Sequence, residues 1–268
     1  MKIAVVQTSP TGDLEHNLST IRRFAAEAAA AGASLIVFPE EAGLLAEDDV
    51  KPDFPRILPN VWPRFEELII ELAKQHGVTI IAGCYEPNGA EAPYNTILAV
   101  SPSGEELARY HKVHLYDAFS YRESDYVTHG SELAPVIEVA GFKVGIGNCY
   151  DVRFPELFRS MADRGADIIS LSAAWVSGKG KEEHWSVLTQ ARAIENVSWL
   201  LASGTVADDA VGLSRIIDPL GLVVASAGTR DEGIVFAEVT RESIDRARKI
   251  LPALDNRRLE TAVSVKGN

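Results

Sequence analysis

Two turns of the same chemistry constrain this chain more than any other feature. Ser101-Pro102-Ser103-Gly104 and Asp218-Pro219-Leu220-Gly221 both read x-Pro-x-Gly, and each lies between two apolar runs. Proline presets the first central dihedral of a turn and glycine tolerates a positive φ, so each marks a hairpin. The same order of segments precedes both. Residues 2–7 read as a buried strand. Residues 14–31 read as a helix, with Leu14, Leu18, Ile21, Ala25 and Ala28 at spacings of three and four before the stop at Gly32. A strand follows over 34–38, then a helix over 62–76 with Phe65, Leu68, Ile69 and Leu72 on one face, then strands over 78–85, 96–101 and 106–114. The second half runs strand 142–148, helix 155–164 ending at Gly165, strand 167–172 and helix 181–196. Strands over 198–204, 213–217 and 222–227 complete it.

Two such halves, each with its helices on one side of a sheet, predict two sheets packed face to face with helices outside. A doubly wound sheet with two coincidental hairpins fits the same pattern. No linker or low-complexity stretch divides the chain, so residues 1–268 read as one domain with a sizeable core.

Charge and cysteine usage narrow the function. With 26 Lys and Arg against 38 Asp and Glu, the net charge is −12. That balance argues against broad binding to nucleic acid or an anionic membrane, which attract clusters of Lys and Arg. The apolar run near the start is too short for a signal-peptide core, and no segment approaches the roughly 18 apolar residues of a spanning helix. The cytoplasm is therefore the expected location. Cys84 and Cys149 are the two cysteines, too few for a disulfide framework or a four-thiolate zinc site.

The chemistry has one conspicuous candidate. In residues 144–157 a strand runs into Cys149 and a helix begins shortly afterwards, with Pro155 in its first turn, where a missing N–H costs nothing. Free N–H groups and the positive end of the helix would lower the thiol pKa and offer an oxyanion site. A small buried core residue is an equally good reading of Cys149. A nucleophile needs a base, yet none of His16, His76, His111, His114, His129 and His184 lies in a context typical of a Cys–His site. His111 and His114 in a strand would face opposite sides, which suits structural or solvent-facing roles. His184 reads as a packing residue or a pocket residue. The strand 34–38 is followed by Pro39, Glu40 and Glu41, and Lys112 lies within the strand 106–114. Taken singly, a carboxylate after a strand reads as a solvated turn and a strand lysine as solvent-facing.

Together these segments resemble the nitrilase, or carbon–nitrogen hydrolase, superfamily. The resemblance rests on Phe38-Pro39-Glu40, Tyr110-His111-Lys112-Val113-His114-Leu115 and Cys149-Tyr150-Asp151-Val152-Arg153-Phe154-Pro155-Glu156, in that order. Arg122-Glu123-Ser124, the segment 191–196, Ile217-Asp218-Pro219-Leu220-Gly221 and Asn256-Arg257-Arg258 extend it along nearly the whole chain. The resemblance implies an α/β four-layer αββα sandwich and an amidase like the omega-amidases and deaminated-glutathione amidases. It implies Glu40 as general base, Lys112 as the cation beside the oxyanion, Cys149 as nucleophile and Glu123 as a further active-site carboxylate. The Tyr150 backbone N–H would complete the oxyanion hole, with no metal or organic cofactor. Glu41 is set aside because the family's base directly follows the proline. Cys84 reads as a packed strand residue, and Asp151 and Arg153 as residues that fix the turn by ion pairing and hydrogen bonds.

Two departures stand out. Asn148 occupies a position that is usually apolar in these branches, and Gly212-Leu213-Ser214 replaces the usual Gly-His-Ser. Specificity is expected from the loops 116–125 and 174–183. Trp175 is expected to line the pocket, while Lys179 and Lys181 read singly as solvated, with pairing to a substrate carboxylate as the functional alternative. The expected partner is a small-molecule amide, and family members commonly form homodimers or larger assemblies. An N-carbamoyl amidohydrolase and a catalytically silent scaffold of the same fold are the competing functions.

Overall fold

The computed structural model describes residues 1–89, 91–260 and 262–266. One six-stranded sheet contains β1 (Lys2–Gln7), β2 (Leu35–Val37), β3 (Thr79–Asn88), β4 (Glu91–Val100) and β5 (Glu106–His111). The second contains β6 (Val136–Val139), β7 (Phe142–Asn148), β8 (Ile168–Ala173), β9 (Trp199–Gly204), β10 (Arg215–Ile217) and β11 (Val223–Ser226). A last strand, β12 (Gly233–Glu238), returns to the first sheet, giving the orders β12-β1-β2-β3-β4-β5 and β11-β10-β9-β8-β7-β6. Helices α1 (Leu14–Ala30) and α2 (Phe54–His76) pack on sheet one, and α3 (Pro155–Asp163) and α4 (Lys181–Asn196) on sheet two. The result is the αββα sandwich, and the single doubly wound sheet is ruled out.

Alternation along the strands produces the layers. Ile3, Val5, Leu35, Val37, Ile81, Ile97 and Ala99 pack with residues of sheet two. Their neighbours Ala4, Val6, Ile36, Ile80, Ala82 and Leu98 pack with α1 and α2. Successive side chains point to opposite faces, so strands covered on both sides need apolar residues throughout. Polar links also join the sheets: Ser172 Oγ donates to the Phe38 carbonyl (2.7 Å) and Ser203 Oγ to the Val6 carbonyl (2.5 Å).

The central strands β1, β2 and β3 are mutually parallel, as are β7, β8 and β9. Their carboxyl ends therefore lie along one edge of each sheet. Both x-Pro-x-Gly turns close antiparallel hairpins. Gly104 (φ 80°) donates to the Ser101 carbonyl (2.8 Å), and Gly221 (φ 87°) to the Asp218 carbonyl (2.9 Å). Each hairpin also carries a register shift on the strand entering the turn, at Ala99/Val100 and at Ile216/Ile217.

Several boundaries differ from expectation. Helix α2 starts at Phe54, two turns before residue 62, with Pro59 and Pro63 inside it. Pro55, Pro59 and Pro63 lie four apart on the exposed face, where carbonyls that lose their helical donor face water. Strand β5 ends at His111, so Lys112 lies just beyond the strand rather than in it. Strands β6 and β12 and helix α5 (Arg241–Ile250) were not anticipated. Only Ile244 and Ala247 of α5 are buried. Arg241 and Arg248 tie it to Asp167 at 2.7 and 3.1 Å.

Candidate active site

Glu40 follows β2 across Pro39, and its backbone is held against β3. Phe38 N–H donates to the Ile81 carbonyl (2.8 Å) and Gly83 N–H to the Pro39 carbonyl (3.1 Å). Gly83 is required by this approach: a Cβ there would lie 2.0 Å from the Glu40 carbonyl oxygen. Lys112 leaves β5 with its N–H donating to the Asn95 carbonyl (2.9 Å). Glu123 begins a short 3-10 turn (Glu123–Asp125).

The three side chains meet beneath a cavity of about 770 Å³ and are 2–3% exposed. Lys112 Nζ lies 2.7 Å from Glu40 Oε1 and 2.8 Å from Glu123 Oε2. Glu40 Oε2 accepts from the Ala174 N–H (2.8 Å), and Glu123 Oε2 from the Tyr116 N–H (2.7 Å). Asn95 Nδ2 donates to Glu40 Oε1 (2.8 Å) and to Glu123 Oε1 (3.0 Å). Nothing in the sequence marked Asn95, because its partners come from distant segments.

Cys149 stands where β7 turns into a 3-10 helix (Cys149–Arg153), with φ 44°. A left-handed conformation at a residue with a Cβ is a strained one, of the kind concentrated at functional sites. Asp151 holds the turn. Its Oδ2 accepts from the Asn148 N–H (2.9 Å) and the Tyr110 hydroxyl (2.8 Å), and its Oδ1 lies 2.7 Å from His114 Nδ1. The His114 ring stacks on Phe154, with centroids 3.7 Å apart. Asp151 thus fixes the turn as expected. Arg153 has no carboxylate partner among the described residues and reaches away from the turn: its Nη2 lies 3.3 Å from His184 Nδ1 and its guanidinium packs on Trp175. The first N–H groups of a helical turn have no partner within it, and the Tyr150 N–H is one of these.

The electrostatics correct one expectation. Burial, and then the neighbouring Glu40 carboxylate, push the Cys149 thiol well above its ordinary pKa and outweigh Lys112. The thiol is therefore held in its protonated form, beside the Glu40 carboxylate whose charge acts on it. The helix-end argument considered only local dipoles, whereas burial and the Glu40 charge come from elsewhere in the chain. For Glu40, burial opposes ionisation, but Lys112 and the hydrogen bonds overcome it and lower the pKa. Lys112 is desolvated too, yet its flanking carboxylates hold it well above the usual lysine range.

The adjacent Glu41 behaves oppositely. It is 8% exposed, lines the same cavity and accepts from the Tyr85 hydroxyl. Burial and the charge of Glu40 push it up to about 8. Cys84 is fully buried under α2, and its thiol is raised by desolvation.

The loops 116–125 and 174–183 both line the cavity, through residues that include Tyr116, Phe119, Ala174 and Val176. So do Leu45–Asp48, Lys51, Ala207, Asp209 and Ala210, which sequence reasoning missed. Trp175 is not in the cavity wall. It is 2% exposed, packs on Trp185 and donates from Nε1 to the Lys181 carbonyl (2.9 Å). The strand carries Ala174 to the wall and turns the indole behind it. The Tyr150 ring likewise packs on Tyr116 and Phe154. Lys179 is exposed, but Lys181 is 4% exposed rather than solvated. Its Nζ donates to the Tyr116 hydroxyl (3.0 Å) and lies 4.5 Å from the centroids of both the Tyr116 and Trp175 rings. Among the described residues no group of three or more His, Cys, Asp or Glu side chains converges as metal ligands do, and no helix is long and apolar enough to cross a membrane.

This geometry meets a consistent set of relatives. Residues 2–249 match the carbon–nitrogen hydrolase family. Over 259 residues the chain is 39% identical to the deaminated glutathione amidase of Escherichia coli O157:H7, spanning 96% of this chain and 97% of that protein. It is 28% identical over 269 residues to the omega-amidase of Mus musculus, spanning 97% and 95% respectively. Among solved structures, a mutant amidase of Nesterenkonia sp. AN1 carries the acetamide moiety of fluoroacetamide covalently on its active-site cysteine. It superposes with a TM-score of 0.83 at 26% identity, covering 96% of this chain and 94% of that one.

Proposed function

This chain belongs to the carbon–nitrogen hydrolase family, and we propose that it is an amidase that hydrolyses a small carboxamide through a thioester on Cys149. The observation that carries this reading is the contact of one buried lysine with two buried carboxylates beside the thiol. Glu40 takes the thiol proton as sulfur attacks the carboxamide carbon. The C=O pair moves to oxygen, and Lys112 with the Tyr150 N–H stabilises the resulting oxyanion where charge develops. The tetrahedral intermediate collapses, the C–N bond breaks, and Glu40 returns its proton to the leaving nitrogen, releasing ammonia. Water then gives a proton to Glu40 and attacks the thioester. The second collapse releases the carboxylic acid product and regenerates the thiol. Glu123 acts on this sequence by orienting Lys112, the ammonium it contacts through both oxygens.

The substrate class is a carboxamide with an anionic far end, as in an omega-amide of a 2-oxo acid or a deaminated glutathione. Lys181 supports this, because it lines the cavity and has no carboxylate partner among the described residues. A cation held on aromatic faces keeps its donors available for a carboxylate. The chain acts as one domain, in the cytoplasm, where reducing conditions keep Cys149 a thiol. Exposed Val187 and Ile194 on α4 and Leu222–Val224 at the edge of sheet two support a homodimer. The test is ammonia release from a panel containing 2-oxoglutaramate, deaminated glutathione and N-carbamoyl amines. Turnover of the first two is expected. Turnover of carbamoyl compounds alone, or of nothing, would overturn the substrate assignment.

A further inference from the structure

Asn148 is a costly residue where it stands. It is fully buried, and among the described residues its Oδ1 meets only the Asp151 N–H of the turn it caps, a contact too loose for a full hydrogen bond. An unsatisfied buried polar atom destabilises a protein, and an apolar side chain here would avoid that. Its one side-chain bond runs from Nδ2 to Asn95 Oδ1 (2.9 Å). Asn148 ends β7 in sheet two and Asn95 lies in β4 of sheet one, so the bond crosses the sandwich.

The bond partner, Asn95, contacts two of the three charged side chains and the backbone of the third. The Asn95 carbonyl accepts from the Lys112 N–H, and its Nδ2 donates to both Glu40 and Glu123. Only the amide nitrogen can donate to two carboxylates, so Asn95 Oδ1 must face away from them. The opposite rotamer would set a carbonyl oxygen against two anions. Asn148 Nδ2 donates to that outward oxygen and so selects the rotamer. The next residue is Cys149.

We propose that Asn148 is a positioning residue that acts through Asn95, locking the Asn95 amide so that Glu40 and Glu123 are held at a fixed place relative to Cys149. The two residues form one device: Asn95 joins the carboxylates and Asn148 ties that junction to the strand carrying the thiol. This inference rests on the reading of Cys149 and Glu40 as nucleophile and base.

A double-mutant cycle tests it, read by the rate at which iodoacetamide alkylates Cys149 across pH. In that reaction the sulfur displaces iodide and the thiol proton leaves to base, so the rate reports the thiol and Glu40 without a known substrate. Asn95→Ala is expected to slow alkylation at neutral pH about 10–100-fold, the range for losing a hydrogen bond to a charged group. The acid limb of its profile should move to higher pH, since Glu40 loses a donor to its charged form. Asn148→Leu should change both in the same direction by a smaller factor. The double variant should match Asn95→Ala alone, because a residue acting only through Asn95 has nothing left to act on. Thermal unfolding of Asn148→Leu should show a modest loss of stability, since the cap on the Cys149 turn is lost together with the bond to Asn95. Asn148→Ser, which keeps a donor, should recover part of the rate, and Asn148→Ala serves the cycle if the leucine does not fit. Independent, multiplying effects in the double variant, or an unmoved acid limb in both single variants, would overturn the proposal. A Glu40→Gln protein that alkylates as fast as the parent would instead overturn the underlying reading of the site.

Discussion

Two Glu–Cys neighbourhoods lie at and behind the cavity floor, and a buried lysine enters one of them. Around Lys112, Glu40 is ionised and lines the same cavity as the Cys149 thiol. Around Tyr85, Glu41 is held neutral up to about pH 8, and Cys84 is sealed under α2. The two glutamates are adjacent in sequence, and both cysteines are buried. Residue type and burial are therefore shared, and what separates the neighbourhoods is where Lys112 arrives and that Cys149, unlike Cys84, lines the cavity. Placing a buried ammonium against one carboxylate stabilises its charge and leaves the neighbouring carboxylate to be neutralised by desolvation and by repulsion from the first.

The comparison breaks most sharply at sulfur. Cys149→Ala should reduce ammonia release by on the order of 10³-fold or more, as loss of a nucleophile does. Cys84→Ala should leave turnover close to the parent and cost about 1 kcal/mol of stability, since it removes roughly one buried methylene's worth of packing. Equal losses in both variants, measured as steady-state ammonia release, would erase the distinction. The carboxylates come next. Glu40→Gln should lower kcat about 10²–10⁴-fold, the range of general acid–base catalysis. Glu41→Gln should lower it far less, because a neutral carboxyl is replaced by a neutral amide.

A third substitution sharpens the comparison by asking whether a second cation serves binding rather than ionisation. Lys181→Met should raise KM roughly 10–100-fold for an amide with a distal carboxylate, the range for a lost charge-assisted hydrogen bond, with kcat little changed. An amide without that carboxylate should show no such rise in KM.

The smallest effect is on stability. The pKa of Glu41 is raised in the folded state from the usual 4.5 to about 8. Its protonated form therefore contributes stability that is fully present below the unfolded value and is lost as pH rises through about 8. Glu40, whose pKa is lowered, contributes in the opposite sense: its share is present above the unfolded value and is lost as pH falls through the folded one. Denaturant unfolding at pH 5 and pH 8 should show Glu41→Gln gaining on the parent at the higher pH. A constant difference between the two proteins would contradict the environment assigned to Glu41.

How much could be read before the fold was known depended on how local each signal was. Helix α4 and strands β1 and β7 have the predicted bounds, because their apolar periodicity and end residues are self-contained. The repeated hairpins were readable from Pro and Gly alone. Strand β12 is half-buried along most of its length and α5 buries two side chains, so neither carries a strong period. The start of α2 was hidden by prolines whose tolerance depends on facing solvent. At the site, the motif residues were visible in sequence, and their meeting point was not. Asn95 lies 55 residues from Glu40, 28 from Glu123 and 53 from Asn148. The direction of the Cys149 pKa shift was missed for the same reason, since Glu40 comes from a segment more than a hundred residues away.

The central claim is that Cys149, relieved of its proton by Glu40, carries the acyl group. Rapid acid quenching of the protein during turnover of a carboxamide, followed by peptide mass spectrometry, tests it most directly. The Cys149 peptide should gain the mass of the substrate less ammonia, and the Cys84 peptide should not. Ammonia release that continues in Cys149→Ala, with no adduct on the Cys149 peptide of the parent, would contradict the account.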